Sequence, residues 1–221
     1  MIRPLLWAAL PALAIAACNQ DAPPPGQPAN TSTATSMPSV DPPVPQNLPD
    51  IVRVRIETSD GTIVVALDRK HAPITTTNFV RYADDHRFDG TTFYRAARNK
   101  WAPKQGFIQG GIAHNARLML PPIRLEPTSE TGLRHVDGTI SMAHATPDTA
   151  MGDFTIDVGA QPGLDAKPGK TDEDKGFAAF GQVVEGMDVV RRILAAPTIS
   201  SGGKPSENIA APVKIIRVTR A

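Results

Sequence analysis

The sequence predicts a mostly β domain, an antiparallel sheet closed into a barrel and capped by two α-helices. Three observations lead there. From Ile51 onward the chain consists of short runs rich in Val, Ile, Thr, Phe and Tyr, separated by turns containing Gly, Pro and Asp. Only two stretches carry apolar residues at helical spacing, one after Pro73 and one after Gly186. With 221 residues, 41% of them hydrophobic, the chain can build one sizeable core plus extensions. Many short strands with few helices are the pattern of a barrel.

Residues 1–17 are expected to be a targeting segment and not part of the fold. Arg3 supplies a positive start, Leu5 to Ala16 is an apolar run too short to span a bilayer comfortably, and small residues precede Cys18. Ile15-Ala16-Ala17-Cys18 resembles a bacterial lipobox, which implies lipidation at Cys18. An ordinary cleaved signal, or an uncleaved anchor with an incidental cysteine, is the alternative. A lipid would hold the chain on a membrane without spanning it, at the cell envelope facing the periplasm. Asn19, where lipoproteins kept in the inner membrane carry Asp, favours the outer membrane. Cys18 is the sole cysteine, so no internal disulfide can form. Residues 18–49, rich in Pro, Ala, Ser and Thr and without apolar periodicity, cannot offset their ordering entropy and read as a disordered tether. The globular domain then occupies 50–221.

That domain opens with a hairpin. Val52, Val54 and Ile56 alternate with Arg53, Arg55 and Glu57, Ser59-Asp60-Gly61-Thr62 is a tight-turn signal, and Ile63, Val65 and Leu67 resume the alternation. A helix starts near Pro73, a residue tolerated in the first turn, and turns Ile74, Phe79, Val80 and Tyr82 inward. Asp89-Gly90 marks a turn, Thr91-Thr92-Phe93-Tyr94 a strand, and Gly110-Gly111 a bend or close approach. A second helix after Gly186 carries Met187, Val190, Ile193 and Leu194 at helical spacing and ends before Pro197. Val213 to Thr219 reads as the closing strand.

Four blocks carry a family resemblance. Gly90 to Gly111 contains Phe93-Tyr94-Arg95 and Gln109-Gly110-Gly111, Gly138 to Ala143 reads GTISMA, Phe177 to Val190 reads FAAFGQVVEGMDVV, and Gly61 to Phe79 precedes them in order. Together they resemble the cyclophilin family of peptidyl-prolyl isomerases over essentially Ile51 to the C-terminus. The resemblance implies a closed eight-stranded antiparallel barrel with two capping helices and a groove for proline-containing polypeptides. By position it implies Arg95 as the catalytic residue, Gln109 as a holder of the substrate backbone, and Ala143-His144-Ala145 as a segment pairing with that backbone. Leu164 and Phe177 fall at positions of the pocket wall.

The match is uneven. Only Ile108 separates Phe107 from Gln109, so either the loop is one residue shorter or Phe107 takes the next pocket position. Asp153 replaces a glutamine, and Thr155 stands where a phenylalanine forms the floor of the proline pocket, which implies about 1 to 3 kcal/mol weaker proline binding. The stretch from Ala96 to Gln105, with Trp101, is longer than usual and implies a remodelled rim beside Arg95. Gly163 replaces the tryptophan that contacts cyclosporin in eukaryotic members.

The chemistry asks for little else. Rotation about a peptide bond breaks amide resonance at a cost of about 18 to 20 kcal/mol. The twisted prolyl nitrogen gains a lone pair, which a guanidinium can bond more strongly than in either planar state. No nucleophile, metal or cofactor is required. An arginine in a surface salt bridge is the alternative reading of Arg95. A near-neutral balance of 23 basic and 22 acidic residues gives no footprint for nucleic acid. The five histidines have no metal-ligand spacing, Asp172-Glu173-Asp174 reads as a solvated loop, and Ser141 lacks a nucleophile elbow. Barrel closure predicts a monomer. A non-catalytic module that binds proline segments or unfolded chains is the second function class, motivated by Thr155 and the Phe107 spacing.

Overall fold

A computed structural model describes residues 38–43, 47–201 and 204–221. Strands β1 (Ile51–Thr58) and β2 (Gly61–Asp68) form the opening hairpin, and helix α1 (Pro73–Asp84) follows. Next come β3 (Thr92–Asn99), β4 (Ala102–Gly111), the short α2 (Thr128–Thr131), β5 (Thr139–Met142) and β6 (Asp153–Val158). The chain ends with β7 (Ala178–Glu185), α3 (Met187–Ala195), β8 (Thr198–Ser201) and β9 (Lys204–Arg220). Eight strands hydrogen-bond in the order β1-β2-β7-β5-β6-β4-β3-β9, and β1 pairs with β9 to close the barrel. Every pairing is antiparallel.

The eight-stranded barrel is as expected, with two additions. α2 is a third helix of a single turn, and β8 is a ninth strand that pairs only with β9, outside the ring. β9 also begins nine residues before the expected Val213, because its first part is held by β8 and β3 and carries no alternation of its own.

Local sequence explains the elements that position the site. In β1 the aliphatics Val52, Val54 and Ile56 are buried while Arg53 and Arg55 are exposed. Thr58 tightens the turn, its hydroxyl donating to the Gly61 carbonyl at 2.6 Å. α1 buries Ile74, Phe79, Val80 and Tyr82. Its N-terminus is met by the buried Glu126, whose carboxylate accepts the amides of Ile74 and Thr75 at 3.0 and 2.8 Å. That places a negative charge at the positive end of the helix dipole. The core is an aromatic cluster inside the barrel, with Phe79 4.9 Å from Phe88 and Phe93 edge-on to Phe154 at 5.6 Å. α3 buries Val189, Val190, Ile193 and Leu194 and stops before Pro197.

Cys18, the targeting segment and most of the expected tether lie outside the described residues. The C-terminal part of that tether lies on the domain. The Val40 amide donates to the Pro122 carbonyl at 2.8 Å, Asp41 accepts the Arg124 amide at 3.1 Å, and Pro42 and Leu48 are buried. A domain boundary at residue 50 is therefore too late, since these short apolar anchors find partners that only the folded barrel provides. Among the described residues no helix is long and apolar enough to cross a membrane.

Candidate active site

Sheet register assembles the site. Arg95 on β3 is the cross-strand partner of Gln109 on β4, Gln109 of Thr155 on β6, and Thr155 of Ser141 on β5. One row of partners thus crosses four adjacent strands, with Cα spacings of roughly 5 Å. Phe107 lies two residues from Gln109, on the same face of β4. The segment after β5 brings Ala143 and His144, a single turn of 3₁₀ helix at Pro162–Leu164 brings Leu164, and the approach to β7 brings Phe177. These residues line a cleft of about 110 Å³. Gln109, Ala143 and His144 also line an adjoining cleft of about 340 Å³, which adds Ala145 and Asp153, along with His114 and Met151. All ten groove residues singled out from the sequence therefore line one of two clefts that share a wall.

Arg95 is held from several sides. Its Nη1 donates to Gln109 Oε1 at 2.8 Å, its Nε donates to Glu207 Oε2 at 2.7 Å, and its guanidinium carbon sits 5.1 Å over the Phe107 ring. The spacing of Phe107 is thereby explained, because it shares the face of Gln109 and supports the arginine from below. Gln109 is fixed in turn, with its Nε2 donating to the Tyr94 hydroxyl at 2.8 Å. Tyr94 donates to Asp153 Oδ1 at 3.1 Å, an oxygen that also accepts the Ala113 amide at 2.8 Å. Burial, and then the neighbouring Asp153 carboxylate, push the Tyr94 hydroxyl well above its ordinary range, so it stays a donor. Asp153 thus lines the wider cleft with a carboxylate already occupied by Tyr94 and Ala113.

Strict alternation on β3 puts Tyr94 and Arg95 on opposite faces. A register shift between Phe93 and Arg95 bulges the strand at Tyr94, so both side chains reach Gln109. This relay was missed because a bulge leaves no mark in the alternation of the sequence. Glu207 was missed too, since it lies 112 positions from Arg95 in a stretch without periodicity.

His144 turns its side chain away from a substrate role. Its Nε2 bonds the Gly176 carbonyl at 3.0 Å and its ring stacks on Phe177 at 4.5 Å, which fixes the wall of the smaller cleft. Burial holds its imidazole below the ordinary histidine range. Thr155 gives a floor without a ring, its Oγ1 3.5 Å from the Ser141 carbonyl. Trp101 does not reach the site. It is 89% exposed at the tip of the β3–β4 hairpin, and the rim beside Arg95 is formed instead by Glu207.

Ser141, His135 and Asp165 form a Ser-His-Asp chain, with His135 Nε2 3.0 Å from Ser141 Oγ and Nδ1 2.8 Å from Asp165 Oδ1. All three are buried, Ser141 with 1% exposure, so no substrate can reach the hydroxyl and the chain acts as a brace. Among the described residues no group of three or more His, Cys, Asp or Glu could hold a metal.

The family model for cyclophilin type peptidyl-prolyl cis-trans isomerases matches residues 53–220. A peptidyl-prolyl cis-trans isomerase of Acinetobacter baylyi is 34% identical over 166 residues, covering 75% of this chain and 83% of the relative. Peptidyl-prolyl cis-trans isomerase A of Dickeya dadantii is 35% identical over 71% of this chain and 77% of its own length. Peptidyl-prolyl cis-trans isomerase B of Escherichia coli is 31% identical over 67% and 88%. A cyclophilin type isomerase from Cryptosporidium parvum superposes with a TM-score of 0.63 at 18% identity, over 77% of this chain and 98% of the other. A second structure of that protein, in the presence of the dipeptide Ala-Pro, gives 0.62 at 19% identity, over 76% and 98%.

Proposed function

The chain belongs to the cyclophilin-type peptidyl-prolyl cis-trans isomerase family and is a peptidyl-prolyl cis-trans isomerase, and on that premise we propose that Arg95 supplies the catalytic hydrogen bond. The observation that carries the reading is the guanidinium held by Gln109 and Phe107 beside a small, partly apolar cleft. A prolyl ring seated among Phe107, Leu164 and Phe177 would place its nitrogen near that donor. As the bond twists, the nitrogen's lone pair appears and the fixed N–H groups meet it without reorganising. Gln109 and the main chain of Ala143 to Ala145 would hold the flanking backbone.

The biological setting is part of the same proposal. Lipidated at Cys18 and carried on the chain between Cys18 and Pro38, the domain would act as a monomer on envelope proteins as they fold. This rests on the lipobox-like Ile15 to Cys18 and on the composition of residues 18–37.

The test is isomerisation of an Ala-Ala-Pro-Phe-type peptide by the full chain in mild detergent. Arg95→Ala is expected to lower kcat/KM at least about tenfold, or 1.4 kcal/mol of transition-state stabilisation. An unchanged kcat/KM would overturn the role given to Arg95. Cyclosporin is expected to inhibit weakly, with half-inhibition above about 1 µM, because Gly163 offers no side chain and Thr155 no ring. Nothing lies within 4 Å of a Cβ placed at Gly163, so the backbone there accepts a side chain, and Gly163→Trp should tighten inhibition. Submicromolar inhibition of the unaltered chain would contradict this account of the pocket.

A further inference from the structure

Groove residues hold Arg95 on one side, and the other side is held by a part of the chain that barrel closure does not require. β8 and the start of β9 form a hairpin outside the ring, and β9 pairs with β3 there through Arg95 and Asn208. Glu207, next to Asn208, sets one carboxylate oxygen 2.7 Å from Arg95 Nε and 2.6 Å from Nη2. Gln109 takes a hydrogen from Nη1. A guanidinium carries five N–H donors. With Nε, Nη2 and Nη1 each giving one, a single hydrogen remains on each terminal nitrogen.

We propose that Glu207 is a positioning residue for the isomerisation, locking the Arg95 guanidinium in the one orientation that keeps its two remaining hydrogens available to the prolyl nitrogen. The inference rests on the catalytic role proposed above for Arg95. An arginine whose side chain is 37% exposed would otherwise distribute over many rotamers, and each turnover would have to gather it back. A donor already aimed contributes in the transition state without that cost. The pair is not a device for stability, because Glu207 is itself 49% exposed and such pairs contribute little to folding. Its effect should therefore fall on turnover and leave the unfolding midpoint in place.

The experiment measures kcat, KM and the thermal midpoint for the full chain in detergent and for Glu207→Ala, Glu207→Gln, Arg95→Ala and the Glu207→Ala/Arg95→Ala double variant. Glu207→Ala should lower kcat roughly three- to tenfold with KM and midpoint almost unchanged. Glu207→Gln, whose amide oxygen can still accept from Nε, should recover most of the loss. In the Arg95→Ala background Glu207→Ala should change nothing further, since the group it positions is gone. An unimpaired Glu207→Ala beside an impaired Arg95→Ala would overturn the positioning role alone, as would losses that multiply in the double variant. An Arg95→Ala variant at the original rate would overturn the catalytic role, and the positioning role with it.

Discussion

Asp157→Asn is expected to stabilise the domain by about 4 to 5 kcal/mol between pH 7 and 8, and by almost nothing at pH 4. Asp157 lies on β6, fully buried, and neither carboxylate oxygen has a hydrogen-bond partner among the described residues. Burial, and then the charges of Asp165 and Asp137, push its carboxyl up to about 8. The native state therefore keeps the proton while the unfolded chain loses it above about pH 4. Whatever stability the neutral acid permits is complete below that pH and is lost by about 1.4 kcal/mol per unit as pH rises towards 8. Asparagine keeps the shape of the neutral acid and cannot ionise, so the gain should grow with pH and then level off. Urea unfolding of both proteins at pH 4, 6 and 8 checks this. Two stability curves that run parallel across that range would show that Asp157 does not carry its proton into the folded state.

Asp165→Ala is expected to cost about 3 kcal/mol and to weaken substrate binding. Asp165 Oδ1 accepts both the backbone amide of His135 at 3.0 Å and its ring nitrogen at 2.8 Å. Burial pushes this carboxyl up, but the two bonds from His135 outweigh it and hold the group below the usual range. Burial keeps His135 below its ordinary range as well, so at neutral pH it braces the site as a neutral ring between Asp165 and Ser141. Removing the acceptor strands two buried donors. It also frees the turn that carries Leu164, whose carbonyl receives the Phe177 amide at 3.0 Å. A denaturant midpoint within error of the unaltered chain, with KM unchanged, would contradict this account. Asp165→Asn, which retains an acceptor, should lie between the two.

Much of this was legible in the chain. The hairpin of β1 and β2 and the buried faces of α1 and α3 follow from periodicity, because those residues meet the same core whatever surrounds them. The groove residues were legible only through the family resemblance, since register across β3, β4 and β6 is a property of pairing and not of any one strand. What escaped was non-local or irregular. Lys204 to Pro212 has no alternation and two prolines, and it becomes strand only because β8 and β3 supply partners. That blind stretch contains Glu207. The alternation of β6 suits a strand with one wetted face, yet Asp153, Thr155 and Asp157 are all buried, the first two at the floor of the clefts. The single turn of α2 was likewise invisible, being too short to show a period.

The central claim is that Arg95 lowers the barrier to rotation and does more than hold the peptide. Exchange spectroscopy by NMR on a prolyl peptide separates the two, because bound fraction and cis–trans exchange are read from the same sample. Uncatalysed exchange takes tens of seconds or longer. With the full chain present, cis and trans signals are expected to exchange within about a second, and with Arg95→Ala, at matched occupancy, at least about tenfold more slowly. Equal exchange at equal occupancy would contradict the account.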